Sequence, residues 1–137
     1  MVNIDVEYTG HLRCTAQHGP SGMVITTDAP KDNMGQGATF SPTDLCATSL
    51  LTCVVTTMGI AAKRNGFELG RCKAKVEKIM TAVPTRRIAF LPIHIELAGS
   101  YTKEQREVLN HAAETCPVKE SLSPAINITI TWEFTAN

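Results

Sequence analysis

Alternating apolar and polar residues along this chain predict several β-strands. The alternation is clearest over residues 126–134, and it recurs over residues 93–97 and over residues 1–8 at the start of the chain. Residues 75–80 and 23–27 are weaker candidates. Such a pattern places one face of a strand in a core and the other in solvent, as in antiparallel sheets. We therefore expect amphipathic strands, most of them antiparallel.

The longest apolar segment, residues 45–62, carries no formal charge and predicts a helix. Ser41 is suited to the N-cap, Pro42 to the first helical position, and Asp44 to a capping box and the helix dipole. The pair Asn65-Gly66 ends the helix after two basic residues. Apolar residues occupy its whole circumference, so this helix must be covered on all sides.

Two environments could cover such a helix. A membrane span is one interpretation, because 18 uncharged residues reach the lower limit of a spanning segment. Serine and threonine dilute the hydropathy, however, and the flanking strands are typical of a soluble sheet, so we predict a central helix in a globular protein. A chain of 137 residues with few large side chains would struggle to enclose it. We therefore predict a homodimer in which a second copy supplies the missing wall.

A second helix is predicted from Thr102, which forms a capping box with Gln105, to about Cys116. Pro117 limits its continuation, and a short helical turn follows over residues 118–122. Cys116 falls on the apolar stripe of this helix, so its thiol is expected to point inward.

Composition excludes some functions and favours others. Thirteen Lys and Arg balance thirteen Asp and Glu, and aromatic residues make up 5%, so neither a basic patch nor stacking platforms for nucleic acid are present. The N-terminal segment lacks the pattern of a signal peptide, and we expect a cytoplasmic protein with a single domain over residues 1–137. In that reducing compartment, the five cysteines favour transient, catalytic disulfides over structural ones.

No metal or cofactor site is predicted. The four histidines are scattered, and the sequence has neither a Cys-x-x-Cys nor a His-Glu-x-x-His motif. The glycines at 19–22 and 35–37 lack the lysine and the strand-to-helix context of a phosphate-binding loop, so they are interpreted as turns. A cysteine hydrolase pairing Cys53 with His94 or His111 stays open on sequence distance alone, but no spacing supports it.

A redox dithiol needs a reactive thiolate and a second thiol that can reach it. We interpret Cys14, Cys46 and Cys72 as small hydrophobic residues. Cys46 and Cys53 share a helix face, but two turns separate them by roughly 10 Å along the axis, too far for a disulfide. Any partner of Cys53 must therefore come from elsewhere in the chain.

The segment Ser41-Pro42-Thr43-Asp44-Leu45 leads eight residues on to Cys53, and Cys116-Pro117-Val118 precedes the last strand. With this order of elements, the chain resembles the OsmC/Ohr family, named for osmotically inducible protein C and organic hydroperoxide resistance protein. The resemblance covers essentially the full length. It implies an α+β fold in which antiparallel-rich sheets enclose a long central helix in an intertwined homodimer.

The resemblance also implies a cysteine-based peroxidase. In such an enzyme the Cys53 thiolate attacks the peroxide and becomes a sulfenic acid, with which Cys116 condenses to a disulfide. An external dithiol, of the lipoyl type in this family, reduces the disulfide. Organic hydroperoxides are the implied substrates, with hydrogen peroxide as a further candidate.

Two family positions differ here. Peroxidase members have a glutamate directly after the proline, which orients an arginine beside the thiolate, whereas this chain has Thr43 followed by Asp44. Asp44 either takes over that role or only caps the helix, and Arg13 is the candidate arginine. The expected catalytic residues are therefore Cys53, Cys116, Arg13 and Asp44. The alternative is a non-catalytic protein that binds a small hydrophobic ligand or senses redox state.

Overall fold

Strands and helices are mixed along the chain in the computed structural model, which we describe over residues 1–136. In chain order the elements are β1 (Ile4–Gly10), β2 (Arg13–His18), β3 (Val24–Asp28), a 3-10 turn (Lys31–Asn33), α1 (Pro42–Arg64), β4 (Cys72–Val76), β5 (Ile79–Thr81), β6 (Arg87–Ala98), α2 (Lys103–Glu114), α3 (Pro117–Ser121) and β7 (Asn127–Thr135). The predicted α+β class is confirmed. The chain divides into two compact units, Met1–Cys46 and the part from Ala47 onward, so the single domain stays a prediction.

The first unit contains the antiparallel sheet β1-β2-β3. His11 and Leu12 link β1 to β2 with positive φ angles of 54° and 61°, the backbone of a tight hairpin that usually carries Asn-Gly. The register places Val6, Ala16 and Ile25 in one row across the sheet. Val6 is 65% exposed and Ile25 is 49% exposed, so one chain leaves this apolar face largely uncovered.

The second unit is built on β6, the longest strand. Ile93, Ile95 and Leu97 of β6 are fully buried, and the residues between them face the other side of the sheet. β4 and β5 pair antiparallel with successive parts of β6, so the single strand predicted over residues 75–80 is wrong because pairing stops between them.

β7 pairs parallel with β6 over the range from Phe90 and Asn127 to Ala98 and Thr135. The four other strand pairs described are antiparallel, which confirms the mostly antiparallel expectation, and this pair is the parallel exception. Its physical reason is that α2 and α3 form the crossover between the two strands, which a parallel pair requires.

The cap predicted for α1 is confirmed. The Asp44 N–H donates to Ser41 Oγ at 3.1 Å, and the Ser41 N–H donates to Asp44 Oδ2 at 2.9 Å. Likewise, Thr102 and Gln105 form the predicted capping box of α2. These reciprocal bonds satisfy backbone donors that helix starts leave unpaired.

The buried residues of α1 form one stripe along the helix and do not extend around its whole circumference. The buried residues recur every three or four positions: Ala47, Leu50, Val54, Met58 and Ala62. Ile60, on another face, is 46% exposed. By length and composition α1 could cross a membrane, with a mean hydropathy of 1.8 and 28% of that window buried, although core helices of soluble proteins meet the same criteria.

Candidate functional site

The thiols of Cys53 and Cys116 lie close enough together for Cys53 to raise the pKa of Cys116. Cys53 lies near the middle of α1, and Cys116 is the N-cap residue of α3, so both belong to the second unit. Both thiols are free, which makes the pair a reduced dithiol. The structure therefore brings together the two cysteines that the sequence selected, although they are far apart along the chain.

The turn between α2 and α3 fixes Cys116. Its backbone is extended, with φ −62° and ψ 145°, and Pro117 begins α3 directly after it. The Lys119 N–H donates to Cys116 Sγ at 3.4 Å, so the thiol takes the place of the usual capping oxygen. Lys119 also pairs with Glu114 at 3.0 Å and thereby ties α3 to the end of α2.

Burial keeps Cys116 in the thiol form. The side chain is fully buried, and this desolvation is the main reason why its pKa is raised. The Lys119 N–H opposes the shift, whereas the neighbouring Cys53 adds to it. Since thiolates are the nucleophilic form, Cys116 is poorly suited to attack first.

Cys53 is more accessible than its partner. Its side chain is half-buried, and Sγ lies 3.8 Å from Thr57 Oγ1, one helical turn further along α1. The buried stripe of α1 passes beside it through Val54, so the helix backbone is held while the thiol stays reachable. The Thr57 contact was not predicted, although the spacing of four residues on a helix could have indicated it.

A groove of about 580 Å³ lies next to this thiol, between the second half of α1 and α2. Its apolar wall consists of Ile60, Ala61, Val108 and Ala112, and its polar rim of Arg64, Asn65, Glu104, Glu107 and His111. Thr57 lines the groove and also contacts Cys53 Sγ. A small molecule with an apolar body would therefore find both a surface to bury against and a thiol one turn away.

Arg13 lies in the first unit, at the start of β2. Its Nη2 donates to Gln36 Oε1 at 2.9 Å and lies 3.6 Å from Asp28 Oδ2. Asp28 is buried, and the Ala38 N–H, followed by the Arg13 guanidinium, holds the pKa of its carboxyl below the usual range against the effect of burial. Within residues 1–136, its Oδ1 has no hydrogen-bond partner.

Sequence reasoning selected Arg13 but missed Asp28 and Gln36. Asp28 directly follows the predicted strand over residues 23–27, in register with Arg13, so a correct pairing of the hairpin could have indicated the contact. Gln36 comes from an irregular loop and gave no signal. The role of Arg13 in catalysis stays a prediction.

Asp44 acts as a helix cap, which was one of its two predicted roles. The hydroxyl of Thr43, which stands where peroxidase members of the family have glutamate, lies 3.2 Å from Ser41 Oγ. Support of a thiolate by Asp44 stays a prediction. In chemical terms, the site combines one accessible thiol, one buried thiol and an apolar groove, which together could form and break a disulfide.

The chain belongs to the OsmC-like protein family, whose model matches residues 35–131 and so includes Cys53 and Cys116. A solved structure from Psychrobacter arcticus, provisionally described as an osmotic stress induced and detoxification response protein, is 38% identical with a TM-score of 0.89. That match covers 97% of this chain and 96% of the other. Together these similarities confirm the predicted OsmC-like fold.

More distant structures share the fold. An organic hydroperoxide resistance protein OsmC from Legionella pneumophila is 14% identical with a TM-score of 0.80, covering 97% of this chain and 96% of that one. The organic hydroperoxide resistance protein OhrB of Bacillus subtilis is 12% identical with a TM-score of 0.73, covering 97% and 98%. The comparison with curated proteins gave no match.

Proposed function

We propose that this protein is a cysteine-based peroxidase that reduces organic hydroperoxides. The observation that carries the proposal is the proximity of the Cys53 and Cys116 thiols, one half-buried and one fully buried, which interact electrostatically. Family membership supports it, because the names of the Legionella and Bacillus proteins refer to organic hydroperoxide resistance.

In the proposed reaction, the Cys53 thiolate attacks one peroxide oxygen and the O–O bond breaks. Cys53 becomes a sulfenic acid, and the other oxygen leaves as an alcohol after taking up a proton. The Cys116 sulfur then attacks the Cys53 sulfur, the S–S bond forms, and the sulfenic hydroxyl leaves with the Cys116 proton as water. An external dithiol of the lipoyl type reduces the disulfide and is itself oxidised to a disulfide.

The environments of the two thiols support this division of roles. The attacking sulfur must meet the substrate, and Cys53 is the half-buried member of the pair, next to the groove. The resolving thiol needs only to reach Cys53, and Cys116 is fully buried and near enough to interact with it electrostatically. A disulfide requires a sulfur–sulfur distance of about 2.05 Å, so the two neighbouring thiols must move toward each other to join.

The groove favours organic hydroperoxides over hydrogen peroxide. Most of the surface that lines the groove is apolar although its rim is polar, and its volume of about 580 Å³ exceeds what hydrogen peroxide needs. Burying the hydrocarbon part of a substrate would add binding free energy in proportion to the apolar area covered. We expect a bulky aromatic or alkyl hydroperoxide to have a higher kcat/KM than hydrogen peroxide.

We also propose that the protein works as a homodimer. The row of apolar side chains on β1 and β3 is about half or more exposed in one chain, and so is Ile60 of α1. An exposed apolar patch such as the row on the first sheet usually marks an interface. Light scattering should give twice the 14.8 kDa of one chain, and a monomer at micromolar concentration would contradict this part of the proposal. The cytoplasmic location stays a prediction.

A second candidate function is non-catalytic ligand binding or redox sensing. The specific observation in its favour is that the candidate arginine, Arg13, is engaged with Asp28 and Gln36. If no guanidinium or other cation stabilises the thiolate, Cys53 would react slowly with peroxides. The same groove could then hold a small hydrophobic ligand without chemistry.

Peroxide consumption distinguishes these functions. The assay follows cumene hydroperoxide in the presence of dihydrolipoamide, and we expect multiple turnovers by the wild-type protein and only the background rate with Cys53→Ser. Cys72→Ser is the matched control, because Cys72 is another free, half-buried thiol of the same unit. Full peroxide consumption by Cys53→Ser would overturn the mechanism. A wild-type protein that consumes no peroxide would favour the second candidate.

A further inference from the structure

One histidine and two glutamates converge on the face of the second sheet opposite the buried side chains. His94 and Glu96 alternate with buried residues of β6, and Glu133 lies on β7. The candidate ligand atoms of these three residues all lie within 4.8 Å of one another. His94 Nε2 is 3.5 Å from Glu133 Oε2.

The strand register produces this cluster. Residues two apart on a strand share a face, which places His94 beside Glu96. The parallel pairing of β6 with β7 sets Thr131 opposite His94 and Glu133 opposite Glu96. The three side chains are therefore fixed to paired strands and not to a loop, which suits a preformed binding site.

A neighbouring hydroxyl, that of Thr131, holds the His94 ring through Nδ1. The Thr131 hydroxyl donates its hydrogen to the Ile93 carbonyl at 3.2 Å. Its other contact, 2.9 Å away, is His94 Nδ1, which donates to it when the hydroxyl hydrogen points to Ile93. In the neutral ring, Nε2 is then left with a lone pair directed toward the Glu133 carboxylate.

Nε2 can face the Glu133 carboxylate in two ways, as the N–H of a protonated ring or through a bound metal ion. Histidines that bind metals are typically held in this way, with the second ring nitrogen donating to a fixed acceptor. One imidazole with two carboxylates is a donor set that suits Zn²⁺ and other divalent first-row ions, with solvent completing the coordination. A metal ion at this position would replace the proton that otherwise joins Nε2 to Glu133.

Two lysines of β4 lie opposite the site residues and oppose the binding of a cation there. Lys73 lies opposite Glu96 and Lys75 opposite His94 in the sheet register. Lys75 is paired with Glu77 at 3.1 Å, which occupies its ammonium group. Lys73 is thus the basic side chain whose register position competes with a metal ion for Glu96.

We propose that His94, Glu96 and Glu133 form a binding site for a divalent transition-metal ion on the outer face of this sheet. The ion would cross-link β6 to β7 and would leave the thiol chemistry unchanged. The metal-site proposal is therefore tested independently of the peroxidase proposal. No sequence motif predicts this metal site, because its ligands come from two strands that two helices separate along the chain.

The proposal is tested by titrating the reduced full-length protein with Zn²⁺ in a calorimeter and with Co²⁺ by absorption spectroscopy. We expect one ion per chain at this site, with affinity at least tenfold weaker in His94→Ala and in Glu133→Gln. Thr131→Val, which removes the acceptor for Nδ1–H, should weaken binding by about tenfold. Lys73→Ala should strengthen it by removing a like charge.

His18→Ala is the matched control, because His18 Nδ1 also lies against a hydroxyl, that of Ser21, at 2.6 Å. His18 belongs to no His and carboxylate cluster within residues 1–136, so this variant should bind as the wild type does. Circular dichroism checks that each variant folds. Binding that is unchanged in His94→Ala, a cobalt spectrum due only to thiolate ligands, or no binding at millimolar Zn²⁺ would each overturn the proposal.

Discussion

Replacing Tyr101 with phenylalanine removes one hydroxyl that joins three segments of the second unit. This hydroxyl accepts a hydrogen bond from the Gly70 N–H at 2.7 Å and donates one to the Ala98 carbonyl at 3.1 Å. The Tyr101 side chain is 9% exposed, and its ring packs edge-on against Phe67 with the centroids 6.3 Å apart. Phenylalanine keeps this ring packing, so the substitution isolates the two hydrogen bonds.

Each neutral hydrogen bond contributes about 1 kcal/mol net, so Tyr101→Phe should lower the free energy of unfolding by about 2 kcal/mol. With an unfolding entropy of about 2.1 cal/mol/K per residue, a chain of 137 residues should lose about 7 °C in Tm. Urea denaturation followed by tryptophan fluorescence measures the change, because Trp132 stacks on Phe134 in the same unit, with centroids 5.9 Å apart.

Tyr8→Phe is the matched control. Tyr8 is 63% exposed, and its hydroxyl accepts one hydrogen bond, from the Leu12 N–H at 3.3 Å. Water replaces such an exposed bond, so we expect a change within about 0.5 kcal/mol. A loss in Tyr101→Phe no larger than that of the control would refute the assignment of stability to this hydroxyl.

Three further predictions concern the first unit. Asp44→Asn keeps an acceptor for the Ser41 N–H, so it should change the free energy of unfolding by less than about 0.5 kcal/mol. Asp44→Ala removes the acceptor and should lower the free energy of unfolding, measured by urea denaturation, by about 1 kcal/mol. Equal losses in the two variants would contradict the capping role. Because the Ala38 N–H and Arg13 lower the pKa of Asp28, the stability this carboxylate contributes is present above the ordinary aspartate pKa and is lost as the pH falls through the lowered one. Asp28→Asn should therefore flatten the acid side of a plot of Tm against pH, and an unchanged acid side would count against this pair. Leu12→Gly should raise stability by about 1 kcal/mol, because Leu12 has a φ of 61°, while Leu12→Ala should not; a Tm gain in both or in neither would argue against backbone strain at this turn.

Local features of the fold were predictable from sequence. The caps at Ser41 and Thr102 depend on side chains three residues away, so their hydrogen bonds could be predicted from the local sequence. The alternation in β6 and β7 likewise showed which residues face inward, those of β6 being buried and those of β7 half-buried. The parallel pairing of these strands was not predictable, since it depends on how two intervening helices cross the sheet.

The candidate site was predictable only in part. Cys53 and Cys116 were chosen through the family resemblance, and no pattern in the residues alone gave their contact. The environment of Arg13 depends on the register of a hairpin whose turn, His11-Leu12, lacks the usual turn residues. Tertiary contacts of this kind are set by the packing of distant segments, which local periodicity does not record.

The central claim is that Cys53 and Cys116 couple when one of them is oxidised. The direct measurement is mass spectrometry of non-reduced peptides after the reduced protein has been treated with one equivalent of cumene hydroperoxide. We predict a disulfide between these two cysteines, with Cys14, Cys46 and Cys72 still open to alkylation. Recovery of Cys53 and Cys116 as unmodified thiols, or of Cys53 joined to a different cysteine, would contradict the account.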